Sequence, residues 1–158
     1  MVMRGSWLWL LFIPLLLAAC SSPSYEGYKH APYTIRGVYY EPMHPQNSVG
    51  FVEYGIASHY NERGFLFSSG KTAIGEKFKA GAMAGAHKTV PLPATMRVTN
   101  LNNGRSVVIR VNDRGPFIEG RVVDVTPAVA KKLGFYERGL TDVKVEVLSV
   151  GDGRYRID

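Results

Sequence analysis

The segment Arg110-Val-Asn-Asp-Arg-Gly-Pro-Phe117 sets one carboxylate, Asp113, between two arginines at the end of an apolar run. Two roles suit such a residue. A carboxyl group can act as a general acid or base when its surroundings lift its pKa toward neutrality. It can equally shape the turn Asn112-Asp113-Arg114-Gly115 by accepting hydrogen bonds from nearby backbone amides. A second acid, Asp124, lies inside the apolar stretch Arg121 to Pro127. It reads as a structural acid bonded to backbone amides or to the start of a helix. The four histidines have no paired metal-ligand spacing, so no metal site is expected, and no motif implies a cofactor. His44 and His59 read as non-catalytic.

The chain of 158 residues has room for one domain with a real core. Its N-terminus reads differently. Arg4 provides a charged start, Trp7 to Leu17 is apolar except for Pro14, and Ala18-Ala19 precedes Cys20. That apolar run is too short to span a bilayer and fits a cleaved export signal over residues 1–19. Leu17-Ala-Ala-Cys20 resembles a bacterial lipobox, in which the cysteine becomes the acylated first residue. Cys20 is the sole cysteine, and a lone exported thiol has no disulfide partner. Ser21 follows it, where an aspartate resembles an inner-membrane retention signal, so the outer membrane is the expected address. The net charge of +6 becomes +5 without Arg4. A basic domain seeks anionic partners. Export removes nucleic acid from consideration and leaves lipid headgroups, lipopolysaccharide and peptidoglycan.

Residues 20–50, rich in Tyr, Pro, Ser and His, read as a tether that wraps or trails, with a short hairpin around Arg36-Gly37 within Pro32 to Tyr40. From Phe51 the pattern turns to β. Strands are predicted at Glu53–Tyr60, Thr95–Leu101, Ser106–Val111, Arg121–Val125 and Asp142–Val150, with Asn102-Asn103-Gly104 as a tight turn. Thr126-Pro127 offers a helix start, Ala128–Leu133 the helix, and Gly134 its stop. Short strands, one helix and many glycines imply a mainly β fold closed into a small barrel over residues 51–150, with residues 151–158 as a tail.

Four ordered blocks carry a further signal: Gly55-Ile-Ala-Ser-His-Tyr60, Lys71-Thr-Ala-Ile-Gly-Glu-Lys-Phe78, Ala84 to Phe117, and Gly120 to Phe135. Together they resemble the rare lipoprotein A (RlpA) family of bacterial cell-envelope proteins, over roughly residues 51–149. The resemblance implies a six-stranded double-psi β-barrel with one or two short helices. It also implies lytic transglycosylase activity on septal peptidoglycan, with a preference for glycan strands stripped of stem peptides. The family's functional residues fall on Glu76, His87 and Asp113. Tyr60, Arg114 and Asp124 are expected around them as substrate-contacting or structural residues. Two departures stand out. The family usually has Trp where this chain has His59, which removes a flat surface for a sugar, and the loop Asn61 to Ser69 is longer and more apolar than usual. Many members carry a C-terminal SPOR domain, and none is read in this sequence.

The implied chemistry needs one carboxyl group used twice. It protonates the glycosidic oxygen, then accepts a proton as the C6 hydroxyl of the N-acetylmuramyl residue attacks its own anomeric carbon. Asp113 is the candidate. In an extended strand Arg110 and Arg114 fall on the face opposite Asp113, so neither opposes its protonation. Glu76 is expected as the like-charged neighbour that raises its pKa, and His87 as the group that orients a carboxyl or relays a proton. Competing readings are a non-catalytic, expansin-like peptidoglycan-binding module and a structural protein that ties the outer membrane to the wall. Division-site proteins are further possible partners. An enzyme requires Asp113 and Glu76 to face one groove; a binding module predicts a flat aromatic surface with the acids apart.

Overall fold

The computed structural model describes residues 28–60 and 70–151. The export signal, Cys20, the loop Asn61 to Ser69 and most of the tail lie outside them.

The strands form where apolar and polar residues alternate, because period two sends one set inward. In β8, Leu140–Val150, the buried positions are Thr141, Val143, Val145, Val147 and Val150. In β5, Ala94–Asn100, Ala94, Met96, Val98 and Asn100 turn inward. Outward-facing partners match in charge: Arg97 lies opposite Glu146, and their side chains meet at 2.9 Å. With β3 (Val52–His59), β4 (Ala84–His87), β6 (Ser106–Asp113) and β7 (Arg121–Val125), these strands close a barrel in the order β3-β7-β4-β6-β5-β8. Two pairs are parallel, β3 with β7 and β4 with β6, and the other four are antiparallel. Closure leaves no barrel edge open for further pairing.

One strand had no sequence signature. Ala84-Gly-Ala-His87 lacks alternation and β-branched residues, yet all four residues are buried between β6 and β7. Small size is the requirement here. A Cβ on Gly85 would stand 2.7 Å from the Asp124 carbonyl oxygen and 3.0 Å from Ile109, so the strand crosses where no side chain fits.

The helix α1, Pro127–Leu133, follows β7 and stops at Gly134 in the left-handed conformation, φ 78°. Thr126 occupies the N-cap position, but its hydroxyl donates to the Ala82 carbonyl at 2.5 Å instead of accepting from the first turn. The residue that sequence reads as a cap therefore ties the chain before β4 to the helix start. Among the described residues no helix is long and apolar enough to cross a membrane.

The segment ahead of the barrel is built onto it. β1 (Tyr33–Ile35) and β2 (Val38–Tyr40) form the hairpin around Arg36 and Gly37, both with positive φ. A 3-10 turn follows at Pro45–Asn47. Tyr28 is buried in the core, and its hydroxyl donates to the Val150 carbonyl at 3.2 Å. Residues 28–50 thus wrap the barrel. Phe117, which follows the Asp113 loop, is half-buried. It packs against Tyr40 at 5.4 Å and Tyr33 at 6.3 Å between ring centroids, because the wrapping hairpin supplies the surface it covers.

Candidate active site

The site is made by a break in strand alternation. In β6, Ile109 and Val111 face the core while Arg110 faces outward. The register with β4 then slips: Gly85 pairs with Val111, but Ala86 pairs with Asp113, leaving Asn112 as an extra residue. Such a bulge re-aims the side chains beyond it. Arg110, Asn112 and Asp113 consequently all line one cleft of about 370 Å³, together with Tyr60, Thr72, Glu76, Lys77, Phe78 and Lys79. The expectation that Arg110 lies on the face opposite Asp113 fails at this bulge, which period-two reasoning cannot see.

Asp113 is held asymmetrically. Its Oδ1 accepts the backbone N–H of Ala73 and of Arg114, each at 2.8 Å. Among the described residues its Oδ2 accepts a single, long bond, from the Tyr60 hydroxyl at 3.4 Å. Burial pushes the carboxyl pKa above the ordinary value of 3.8, against the opposing pull of those three hydrogen bonds and the Arg114 charge. Desolvation therefore does what Glu76 was expected to do. The same burial, with Asp113 and Asp124 nearby, drives the Tyr60 hydroxyl far up, so it remains a neutral donor.

Glu76 lines the same cleft and is bound on both oxygens. Arg110 Nη2 donates to Oε1 at 2.6 Å and Asn112 Nδ2 to Oε2 at 2.7 Å. Its loop is a closed turn: Thr72 N–H reaches the Glu76 carbonyl at 2.8 Å, and the Glu76 N–H returns to the Thr72 hydroxyl at 3.2 Å. Two consecutive polar positions of the bulge therefore connect the acids, since Asn112 grips Glu76 and its neighbour is Asp113.

His87 is not brought to the cleft. Ala86 is the residue paired with Asp113, so the His87 side chain turns the other way, beneath Phe51 at 6.2 Å between rings. Its Nε2 lies 2.9 Å from Glu53 Oε2, and its Nδ1 accepts the N–H groups of Thr89 and Val90, each at 3.1 Å. That bonding fixes the neutral ring with hydrogen on Nε2. Burial lowers the ring's pKa below 6.5 despite the Glu53 carboxylate, whose own pKa is lowered chiefly by the His87 hydrogen bond. The expected proton relay is replaced by a structural clamp. Glu53, read in the sequence only as the start of a strand, is its other half; an acid at a non-core position opposite a buried histidine gives no local sequence signal.

The other expected residues sort in the same way. Arg114 donates from Nη1 to the carbonyls of His87 (3.3 Å) and Val90 (2.5 Å) and from Nη2 to that of Lys29 (2.6 Å). All three of these bonds go to backbone carbonyls, and Arg114 does not line the cleft. Asp124 accepts from the Ser58 hydroxyl at 2.5 Å and from Arg121. Its partners are thus side chains of β3 and β7 and not the backbone amides expected, because the parallel pairing sets Ser58 beside it. His59 stacks on Tyr136 at 4.7 Å and does not line the cleft, so the departure from the family Trp falls outside the pocket that holds the acids. Among the described residues no three His, Cys, Asp or Glu side chains gather as metal ligands.

The fold agrees with comparisons to known proteins. Residues 52–145 match the double-psi β-barrel family described as "Lytic transglycolase". Curated relatives named "Endolytic peptidoglycan transglycosylase RlpA" include one from Pseudomonas aeruginosa, 45% identical over 87% of this chain and 39% of its own length. Another, from Vibrio cholerae, is 36% identical over 94% of this chain and 65% of its own length. The chain thus spans less than two thirds of these relatives. Among solved structures, the Streptomyces papain inhibitor superposes with a TM-score of 0.50 at 20% identity, covering 63% of this chain and 96% of that one, a likeness of fold alone. With a matched domain over more than half its length and a closed six-stranded barrel around the matched residues, the chain belongs to the RlpA family of double-psi β-barrel proteins.

Proposed function

We propose that this chain is an endolytic lytic transglycosylase of peptidoglycan, cleaving the β-1,4 bond between N-acetylmuramic acid and N-acetylglucosamine. The observation that carries the reading is the position of Asp113: raised in pKa by burial, pinned through Oδ1, and presenting Oδ2 to a cleft shared with Glu76. In the acid form the proton resides on Oδ2, since Oδ1 already accepts two N–H groups. Oδ2–H protonates the glycosidic oxygen and the C1–O bond breaks. The Glu76 carboxylate offsets the positive charge that develops on the sugar ring. As the C6 hydroxyl oxygen bonds to C1, its proton passes to Oδ2, which restores the acid without consuming water. The products are a free 4-hydroxyl end and a 1,6-anhydromuramyl end.

Strands without stem peptides are the preferred substrate in this reading. Each bare muramyl residue carries a free lactyl carboxylate, and Lys77 and Lys79 bring positive charge to the cleft. Cell-wall remodelling at division, with division-site partners, is the cellular role proposed for it. Lipid attachment at Cys20, facing the periplasm from the outer membrane, is the proposed location. The mature N-terminal peptide is then expected to have the mass of an acylated cysteine, and an unmodified Cys20 in the mature protein overturns the anchor.

The direct test is digestion of purified glycan strands, with and without stem peptides, followed by mass spectrometry. Release of 1,6-anhydromuramyl ends, faster from bare strands, is expected. A protein that binds the strands and releases no such ends is a glycan-binding module instead.

A further inference from the structure

Both backbone amides that hold Asp113 Oδ1 belong to residues touched by a single side chain and carbonyl outside the matched domain. The donors are Ala73 and Arg114. Lys29 Nζ donates to the Ala73 carbonyl at 2.8 Å, and the Lys29 carbonyl accepts Arg114 Nη2 at 2.6 Å. We propose that Lys29, 23 positions before the first residue of the matched stretch 52–145, is a positioning residue that fixes Asp113 at the cleft through Ala73 and Arg114. The proposal rests on the lytic reading for its effect on rate.

Lys29 can serve as a strut because it is itself fixed. Its N–H donates to the Leu92 carbonyl at 2.9 Å, and the Leu92 N–H returns to its carbonyl at 3.3 Å. On one side Tyr28 is sunk in the core. On the other, the Tyr33 hydroxyl donates to the Lys88 carbonyl at 2.7 Å, and the Arg114 guanidinium lies 5.5 Å from the Tyr33 ring centroid. Among the described residues, the turn bonds of this loop join Thr72 with Glu76 and Gly75 with Thr72, and Arg110 and Asn112 tie it to the barrel at Glu76; at Ala73 itself the polar ties are its N–H to Asp113 and its carbonyl from Lys29. The ammonium of Lys29 therefore fastens the far side of Ala73 while its N–H faces Asp113. A displacement of about 1 Å at a reacting group can cost on the order of a hundredfold in rate, so a loop-to-barrel strut of this kind acts on turnover more than on binding.

The test uses the full chain with Lys29→Met, which keeps the aliphatic stem and removes the donor. The expected result is a kcat lowered about tenfold with KM within about twofold, a fraction of the displacement penalty because the Arg114 arm remains. Displacement of the Ala73 N–H from Oδ1 also weakens one bond that holds the Asp113 carboxyl down. Its titration, followed by carboxyl-carbon NMR, is therefore expected to move upward. The other titratable groups about it, Tyr60, Glu76, Arg110 and Arg114, are unaltered in this variant. Lys29→Arg, which retains a donor, is expected to recover most of the rate. Wild-type kcat together with an unmoved Asp113 titration overturns the proposal, as does a loss of activity that merely follows the folded fraction. Should the wild-type protein release no anhydro ends, the lytic reading fails, and the NMR titration still decides whether Lys29 positions Asp113.

Discussion

Asp113→Asn is expected to lower the release of 1,6-anhydromuramyl ends by about three orders of magnitude, within the range that positioned acid–base groups contribute. The amide keeps an oxygen for the N–H groups of Ala73 and Arg114, so the loop retains its shape, but the NH2 group it places at the position of Oδ2 is far too weak an acid to transfer a proton. The variant should also fold at least as well as the wild type. A carboxyl group whose folded-state pKa is raised favours the fold fully below its unfolded value of 3.8, and that contribution is lost as pH rises through the higher folded value. The amide has no charge to bury. Its thermal midpoint is therefore expected to equal or exceed that of the wild type at pH 7, and to converge with it near pH 3 apart from that group. Wild-type activity has the matching sign and falls as pH rises through the Asp113 pKa. Residual activity within tenfold of wild type removes Asp113 from the acid–base role.

His87→Ala is expected to cost about 3–5 kcal/mol of stability, from the cavity left by a buried ring and from orphaned buried amides. Thr89 N–H and Val90 N–H lose their shared acceptor, and Glu53 loses its donor. The 87–90 turn whose carbonyls receive Arg114 is loosened with them. Against a typical domain stability of about 5–15 kcal/mol this is a large fraction, readable as a fall of roughly 15 °C or more in thermal midpoint. Its pH dependence has a definite sign. Because burial depresses the pKa of His87, its contribution is present above the unfolded value of 6.5 and is lost as pH falls from there through the folded value. The variant should show a flatter stability profile in that window. At temperatures where it remains folded, its pH–rate profile should keep the limb due to Asp113. Loss of a limb with an unchanged midpoint would instead restore the proton-relay role.

These two residues show where sequence reasoning succeeds and where it stops. The strands β3, β5, β6, β7 and β8 were legible because alternating apolar residues with a period of two leave a local mark, as in Val143, Val145 and Val147. The hairpin β1–β2, the turn ending at Gly104 and the helix stop at Gly134 were legible for a similar reason, since positive φ at glycine is encoded at the position itself. The ordered blocks named the family, and with it Asp113 and Glu76 as acids to be found together.

What the sequence by itself determined is thus the alternation, the turns, the family and the identity of the acids. Tertiary structure alone decided their relations, because each depends on register between strands distant along the chain. The bulge at Asn112 exists only against β4, and it turns Asp113 onto the cleft face that Arg110 and Glu76 share. The pairing of Ala86 with Asp113 turns His87 away to Glu53. Burial, a property of the assembled barrel, raises the pKa of Asp113 where a neighbouring charge was expected to do so. Asp113 holds its turn through Oδ1 and lines the cleft with Oδ2 left to it, and only the packing of β4, β6 and the loop of Ala73 makes the two compatible.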